Sequence, residues 1–245
     1  MNNNNSDMLF SDVYNNVLPF RDLILRIRKV AKVIHQQGWA EANAGNISIR
    51  ISDMLKLFIK QIGLYNSYPC QEWFLVSRTG SRFRDMLDEP ENCLMIIGEN
   101  NKEYYFPEDA KPTSEWLCHR KLHNLNKNTN LSCILHTHPT EIIALSNTSF
   151  FQNCKKNSQR LNQCFSDALP EIKLFLPKGI AVVDYAPPGS SKLAALSYKS
   201  IKDKQALIWE KHGLLVLTET PDKALDLTEV INKAAKLWLI KVLEN

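Results

Sequence analysis

Three of the six histidines in this 245-residue chain have the spacing and the neighbours of metal ligands. His136 and His138 lie in the string Ile-Leu-His-Thr-His-Pro, and His212 lies in Trp-Glu-Lys-His-Gly. Both strings follow short apolar runs that are typical of buried strands. Side chains alternate along a strand, so His136 and His138 point to the same face and can bind one ion. With His212 they would supply three protein ligands and leave one position open, as in catalytic zinc sites.

The other three histidines are weaker candidates. His35 ends an amphipathic helix, while His119 and His123 form an i, i+4 pair on a later helix that lacks the HExxH pattern. We interpret that pair as part of an ordinary helix face. A His-x-His pair alone is also a weak signal, because most such pairs are hydrogen-bonded histidines at a strand end.

Three further segments carry glycine or small polar residues that can bind an anion. They are Glu41–Asn46 before the first strand, Ser77–Ser81 after a strand, and Lys111–Glu115 at the start of a helix. Backbone N–H groups and the positive end of a helix dipole favour phosphate, so the three together could form an anion cradle. Each segment taken alone is better explained by turn and cap chemistry.

Glu115 has two interpretations. In the first turn of a helix it interacts favourably with the helix dipole, as many surface glutamates do. Near a divalent cation it would be held ionised and could act as a general base or acid.

The composition limits the classes of function. The chain has 30 basic and 26 acidic residues, and the net charge of +4 is too small to indicate nucleic-acid binding, although it suits a small anionic substrate. The 44% hydrophobic content is enough for one sizeable core. The six cysteines include no CxxC motif, and we find no signal peptide and no apolar stretch of the roughly 18 residues that a membrane span needs. These features predict a soluble, cytoplasmic protein with reduced cysteines.

The pattern of elements predicts one domain over residues 8–245, after a disordered Asn-rich tail at 1–7. Apolar periodicity predicts helices over 20–38, 113–126, 141–146, 190–202 and 220–242. It also predicts strands at 47–51, 73–76, 94–97, 172–176, 180–184, 206–209 and 214–217. Because strands and helices do not alternate regularly, an α/β sandwich around a largely antiparallel sheet is favoured over a doubly wound fold.

The order of the motifs resembles the class II aldolase/adducin family. It runs Asn-Ala-Gly-Asn-Ile-Ser-x-Arg, Thr-Gly, Pro-Thr-Ser-Glu, His-Thr-His-Pro and Lys-His-Gly, and covers about residues 20–242 in one colinear order. The longer strings look most like members that cleave L-rhamnulose 1-phosphate: Gly-Trp-Ala-Glu-Ala-Asn-Ala-Gly-Asn, Lys-Pro-Thr-Ser-Glu, Phe-Leu-Pro-Lys-Gly-Ile and Trp-Glu-Lys-His-Gly. Each motif alone is modest, and together they are specific.

This resemblance implies a three-layer αβα sandwich and an aldolase that forms dihydroxyacetone phosphate and L-lactaldehyde. Zinc, or another divalent transition metal, would be held by His136, His138 and His212, and Glu115 would shuttle a proton. Glu171 matches a carboxylate that such aldolases bring in from a neighbouring subunit, which implies a homotetramer. The residues that match the phosphate-binding segments are Gly45, Asn46, Thr79, Gly80, Thr113 and Ser114.

The chain also departs from the family pattern. Glu141 is a carboxylate where such aldolases tend to be uncharged, and it could alter aldehyde specificity, while segments 53–70 and 147–168 match loosely. The alternatives within the resemblance are a fuculose-1-phosphate aldolase, a ribulose-phosphate 4-epimerase, a methylthioribulose-1-phosphate dehydratase and a non-enzymatic adducin-like module. The epimerases carry Ser-Asp in place of Ser114-Glu115, and adducin-like modules lose the metal ligands, so the aldolase is favoured.

Overall fold

The computed structural model describes residues 5–155 and 157–243, which are built around one eight-stranded sheet. The strands are β1 Asn46–Arg50, β2 Glu72–Ser77, β3 Leu94–Glu99, β4 Glu103–Phe106, β5 Cys133–Thr137, β6 Ala181–Val183, β7 Ala206–Trp209 and β8 Gly213–Thr218. Their order across the sheet is β4-β3-β2-β1-β5-β8-β7-β6. Every neighbouring pair is antiparallel except β6 and β7. The predicted mixed α/β fold with a largely antiparallel sheet is confirmed.

Helices occupy most of the remaining chain. They are α1 Asn5–Asn16, α2 Leu18–Gln36, α3 Ser52–Gln61, α4 Leu64–Ser67, α5 Pro90–Cys93, α6 Trp116–Leu125, α7 Thr140–Ser146, α8 Ser149–Cys154, α9 Gln159–Ala168, α10 Ile172–Phe175, α11 Ser191–Ile201 and α12 Pro221–Leu243. None of the helices in the described ranges is both long and apolar enough to cross a membrane.

The helices cover both faces of the sheet. On one face, Ile47 and Leu135 belong to a core shared with α2 and α12. On the other face, Ile134 and Leu215 pack with residues of α6 and α11. The helix–sheet–helix arrangement is the predicted three-layer sandwich.

Coverage of both faces explains why several strands are apolar without alternation. All six residues of β3 and all six of β8 are buried. Ile47, Ile49 and Ile51 alternate with Ser48 and Arg50, a pattern that predicts a half-buried strand, and this prediction is wrong because both faces of β1 are covered. Ser48, expected to face solvent, is completely buried beneath α6.

The strand predicted at 172–176 is also wrong, because this segment forms the short helix α10. Ile172 and Leu176, four residues apart, are buried, while the three residues between them are exposed. That is the spacing of one helix face rather than the alternation of a strand. Proline at 170 and 177 closes the segment at both ends.

Three other segments can now be assigned. Residues 5–7, predicted to belong to a disordered tail, form the start of α1, and residues 1–4 of that tail lie outside the described residues. The ambiguous stretch 53–70 contains most of α3 and all of α4, and the unassigned stretch 147–168 contains α8 and α9.

Candidate active site

The three predicted metal ligands meet at one end of the central strands. His136 lies in β5, His138 follows its end, and His212 lies in the turn between β7 and β8. One nitrogen of each ring lies within 4.8 Å of the others. Gly213 allows this approach, because a Cβ atom there would lie 2.4 Å from the Thr137 carbonyl oxygen and 3.0 Å from the His138 ring.

The hydrogen bonds of two rings determine which nitrogen is available to a metal. His136 Nδ1 lies 2.9 Å from the Leu214 carbonyl oxygen, and His138 Nδ1 lies 2.9 Å from Glu41 Oε1. Both partners accept hydrogen bonds, so each Nδ1 carries a proton, and in this tautomer a neutral ring has a bare Nε2. The two Nε2 atoms face each other at 3.0 Å. Two lone pairs at this distance require a shared proton or a cation between them.

A shared proton is disfavoured by burial. Burial holds the pKa of His136 well below its usual value, and repulsion from His138 adds to the effect. Burial likewise lowers the pKa of His212 to about 3, with His136 contributing. These rings are therefore neutral near pH 7. Neutral imidazole nitrogens that converge beside a carboxylate fit a divalent transition metal.

Glu115 is the carboxylate beside this cluster, and it is only 4% exposed. Its Oε2 accepts a hydrogen bond of 2.9 Å from Asn46 Nδ2 and lies 3.5 Å from His136 Nε2. Its Oε1 lies 3.3 Å from His212 Nε2. Glu115 is the N-cap residue of α6. The segment before α6 is fixed to the sheet because Thr113 N–H donates to the Ser77 carbonyl oxygen at 2.8 Å.

A cavity of about 380 Å³ opens over the histidines. Its lining includes every residue predicted to hold a phosphate: Gly45, Asn46, Thr79, Gly80, Thr113 and Ser114. Glu115 and the three histidines line the same cavity. Three larger cavities of about 610 to 780 Å³ lie elsewhere on the described part of the chain, and no histidine lines them.

Two predicted residues lie outside this cavity. Glu171 is exposed at the start of α10 and is not part of the lining. Glu141, expected to influence aldehyde specificity, is turned toward α12, where it accepts a hydrogen bond of 3.0 Å from Asn232 Nδ2 and lies 3.6 Å from Lys236 Nζ. Glu141 therefore has a structural contact rather than a place in this cavity.

Sequence reasoning missed two groups that orient the histidines. Glu41 was noted only as part of a turn, yet it accepts the hydrogen bond from His138. Trp209 stacks on His212 with a centroid distance of 5.0 Å and lies 4.6 Å from the ring of His136. Trp209 ends an apolar run three residues before His212. An aromatic residue at a strand end so near a candidate ligand is the sequence feature that could have indicated this contact.

The comparisons with known proteins agree with this geometry. Residues 26–239 match the model of the class II aldolase and adducin N-terminal domain family, so the chain belongs to that family. The fold and the family match support an aldolase, a carbon–carbon lyase.

Individual relatives are similar over most of the chain. A rhamnulose-1-phosphate aldolase of Bacteroides thetaiotaomicron is 31% identical over 87% of this chain and 84% of its own length. One of Listeria welshimeri is 27% identical over 83% of this chain and 78% of its own length. The crystal structure of a sugar-phosphate aldolase from Thermotoga maritima superposes with a TM-score of 0.76 and 28% identity, covering 92% of this chain and 96% of that one.

Proposed function

We propose that this chain is a zinc-dependent aldolase that cleaves L-rhamnulose 1-phosphate to dihydroxyacetone phosphate and L-lactaldehyde. The observation that carries the proposal is the convergence of three histidines beside the buried carboxylate of Glu115. The names of the relatives supply the substrate. A cytoplasmic location remains a prediction from the sequence.

His136, His138 and His212 would hold the metal. When bound, it supplies Lewis-acid stabilisation of the negative charge that develops on the dihydroxyacetone phosphate half. Zinc suits three imidazole ligands with an open position, and cobalt, manganese or iron could bind the same set.

Cleavage of the C3–C4 bond moves two protons. The C4 hydroxyl loses its proton as C4 becomes the aldehyde carbon, the bonding electron pair stays with C3, and C3 then takes up a proton. Glu115 would carry the C3 proton, because its carboxylate lies within 3.5 Å of two of the proposed ligands and so beside the dihydroxyacetone phosphate half. Glu171 of a neighbouring subunit would take the C4 hydroxyl proton.

That role for Glu171 requires a homotetramer with active sites at the subunit interfaces. Within one subunit Glu171 is exposed, and it is followed by exposed apolar side chains on α10, with Leu174 82% and Phe175 46% exposed. Contact with a neighbouring subunit would cover these two side chains.

The phosphate of the substrate would lie at the end of the cavity formed by segments 45–46, 79–80 and 113–114. Thr113 and Ser114 precede Glu115, the N-cap residue of α6, whose first turn offers backbone N–H groups and the positive end of the helix dipole. The hydroxyls of Thr79, Thr113 and Ser114 are further donors.

The test is dihydroxyacetone phosphate release from L-rhamnulose 1-phosphate, with L-fuculose 1-phosphate measured in parallel. We expect a higher kcat/KM for the rhamnulose compound. Faster release from the fuculose compound would contradict the substrate, and release from neither by a zinc-loaded protein would contradict the aldolase reaction. In that case an epimerase or dehydratase assay on the same protein is the next step.

Loss of the Glu41 carboxylate is expected to weaken metal binding. Because Glu41 fixes the His138 ring through Nδ1, we expect Glu41→Ala to lower zinc affinity roughly tenfold or more. The matched control is Glu41→Gln, which keeps an oxygen that can accept the same hydrogen bond. Competition with a chromophoric chelator measures the affinity, and equal affinities for both variants and wild type would refute this role.

A further inference from the structure

Strand β1 and helix α6 are joined by three successive polar contacts. We call them the polar seam, which consists of Asn46, Ser48 and Arg50 on β1 and of Glu115, His119 and His123 on α6. Two residues along a strand advance about 6.6 Å, and four residues along a helix advance about 6 Å. The side chains of the strand therefore remain opposite those of the helix over three contacts, and the first contact lies at the active site.

The middle contact is a serine hydroxyl shared by two histidines. Ser48 Oγ lies 2.8 Å from His119 Nδ1 and 2.8 Å from His123 Nε2. All three side chains are fully buried, and burial lowers the pKa of His119 to about 4, so this ring is neutral. The hydroxyl has one proton, so it donates to one ring and accepts from the other. This arrangement fixes the rotation of α6 over the strand.

The contact at the far end holds the C-terminal end of α6. The guanidinium of Arg50 donates to the carbonyl oxygens of His123, Asn126 and Lys127. Cations favour this end of a helix, because its last carbonyl groups lack partners within the helix. The helix is thereby fixed at its middle and its end, which leaves its N-cap residue, Glu115, at a defined position.

The first contact is the hydrogen bond from Asn46 to Glu115. Asn46 Nδ2 donates to the carboxylate at 2.9 Å, the one hydrogen bond that this side chain makes to the described residues. The amide oxygen, Oδ1, is buried and accepts no hydrogen bond from any described residue. The Asn46 amide is therefore a fixed partner of the Glu115 carboxylate.

We infer that the polar seam is a positioning device that holds the Glu115 carboxylate beside the metal ligands, with Asn46 and Ser48 as its positioning residues. The inference rests on the proton-carrying role proposed for Glu115. It gives the Asn46 amide a role at Glu115 that is separate from the place of segment 45–46 beside the phosphate. It also gives the two buried histidines of α6 a function that does not involve metal.

The kinetic test compares Asn46→Ala and Ser48→Ala with the control Thr228→Ala. Thr228 is a buried hydroxyl on α12 that donates to the Ala224 carbonyl oxygen within its own helix. We expect kcat on L-rhamnulose 1-phosphate to fall about 10- to 100-fold in both seam variants, because a small displacement of a proton carrier is sufficient for such losses. KM of Ser48→Ala and the zinc content of both seam variants should stay within about twofold of wild type, and the control should keep kcat.

Two kinetic results would overturn the inference. A higher KM with unchanged kcat in Asn46→Ala is the expected result of lost phosphate binding, not of a displaced proton carrier. A kcat for Ser48→Ala equal to that of Thr228→Ala would show that the middle contact has no influence on Glu115.

A second readout does not depend on turnover. In zinc-loaded protein, the denaturant midpoints of Asn46→Ala, Glu115→Ala and the double variant form a double-mutant cycle. We expect the double variant to lose less unfolding free energy than the sum of the losses in the two single variants. Additive losses would refute the contact between Asn46 and Glu115. A wild-type protein that binds zinc but cleaves neither ketose 1-phosphate would refute the proposed function, while this cycle would still decide whether Asn46 and Glu115 are coupled.

Discussion

The substitution Glu115→Gln is expected to lower kcat by about 10² to 10⁴-fold while zinc content and the unfolding midpoint stay close to wild type. The amide has nearly the shape of the carboxylate, and its oxygen can still accept the hydrogen bond from Asn46 Nδ2. The glutamine amide, unlike the carboxylate, cannot carry the C3 proton. Steady-state kinetics on L-rhamnulose 1-phosphate together with metal analysis measures both effects.

Glu141→Gln is the matched control for this prediction. It removes a carboxylate that pairs with Asn232 and Lys236 outside the cavity, so kcat should change little. Near-normal turnover in Glu115→Gln would eliminate Glu115 as the proton carrier. Loss of zinc in that variant would instead make Glu115 a metal ligand.

The second large effect is expected for His212→Ala, which should lose both metal and activity. Removing one of three ligands should weaken zinc binding more than the roughly 10- to 100-fold that follows loss of a group orienting a ligand. Zinc per chain after dialysis against a zinc buffer, determined by elemental analysis, is the measurement.

His35→Ala serves as the control for histidine loss, because His35 is an exposed residue of the last turn of α2. That variant should keep its zinc. Full zinc retention in His212→Ala would remove His212 from the ligand set.

Much of the sheet and the histidine cluster could be predicted from the sequence because both depend on local pattern. Apolar runs before His136 and His212 mark strands that are buried on both faces, and the alternation of side chains places His136 and His138 together. The helices also follow their apolar periodicity. That β5 pairs with β8, and so brings His212 to the other two ligands, became visible only in the structure.

Other features depend on contacts between distant segments. Ser48 appears in the sequence as the polar position of an alternating strand, and only the packing of α6 shows that it is buried between two histidines. His119 and His123 likewise have the spacing of a helix face, which does not reveal whether the face meets solvent or the sheet. The segment 172–176 is apolar enough for a strand, but it is too short for periodicity to separate strand from helix.

The measurement that tests the central claim most directly is metal-dependent release of dihydroxyacetone phosphate. The protein would be assayed with L-rhamnulose 1-phosphate as purified, after chelator treatment and removal of the chelator, and after addition of zinc. We predict that release disappears with the metal and returns in proportion to zinc bound, approaching full recovery at one zinc per chain. Release that persists in protein free of transition metals would contradict a metal-dependent aldolase at His136, His138 and His212.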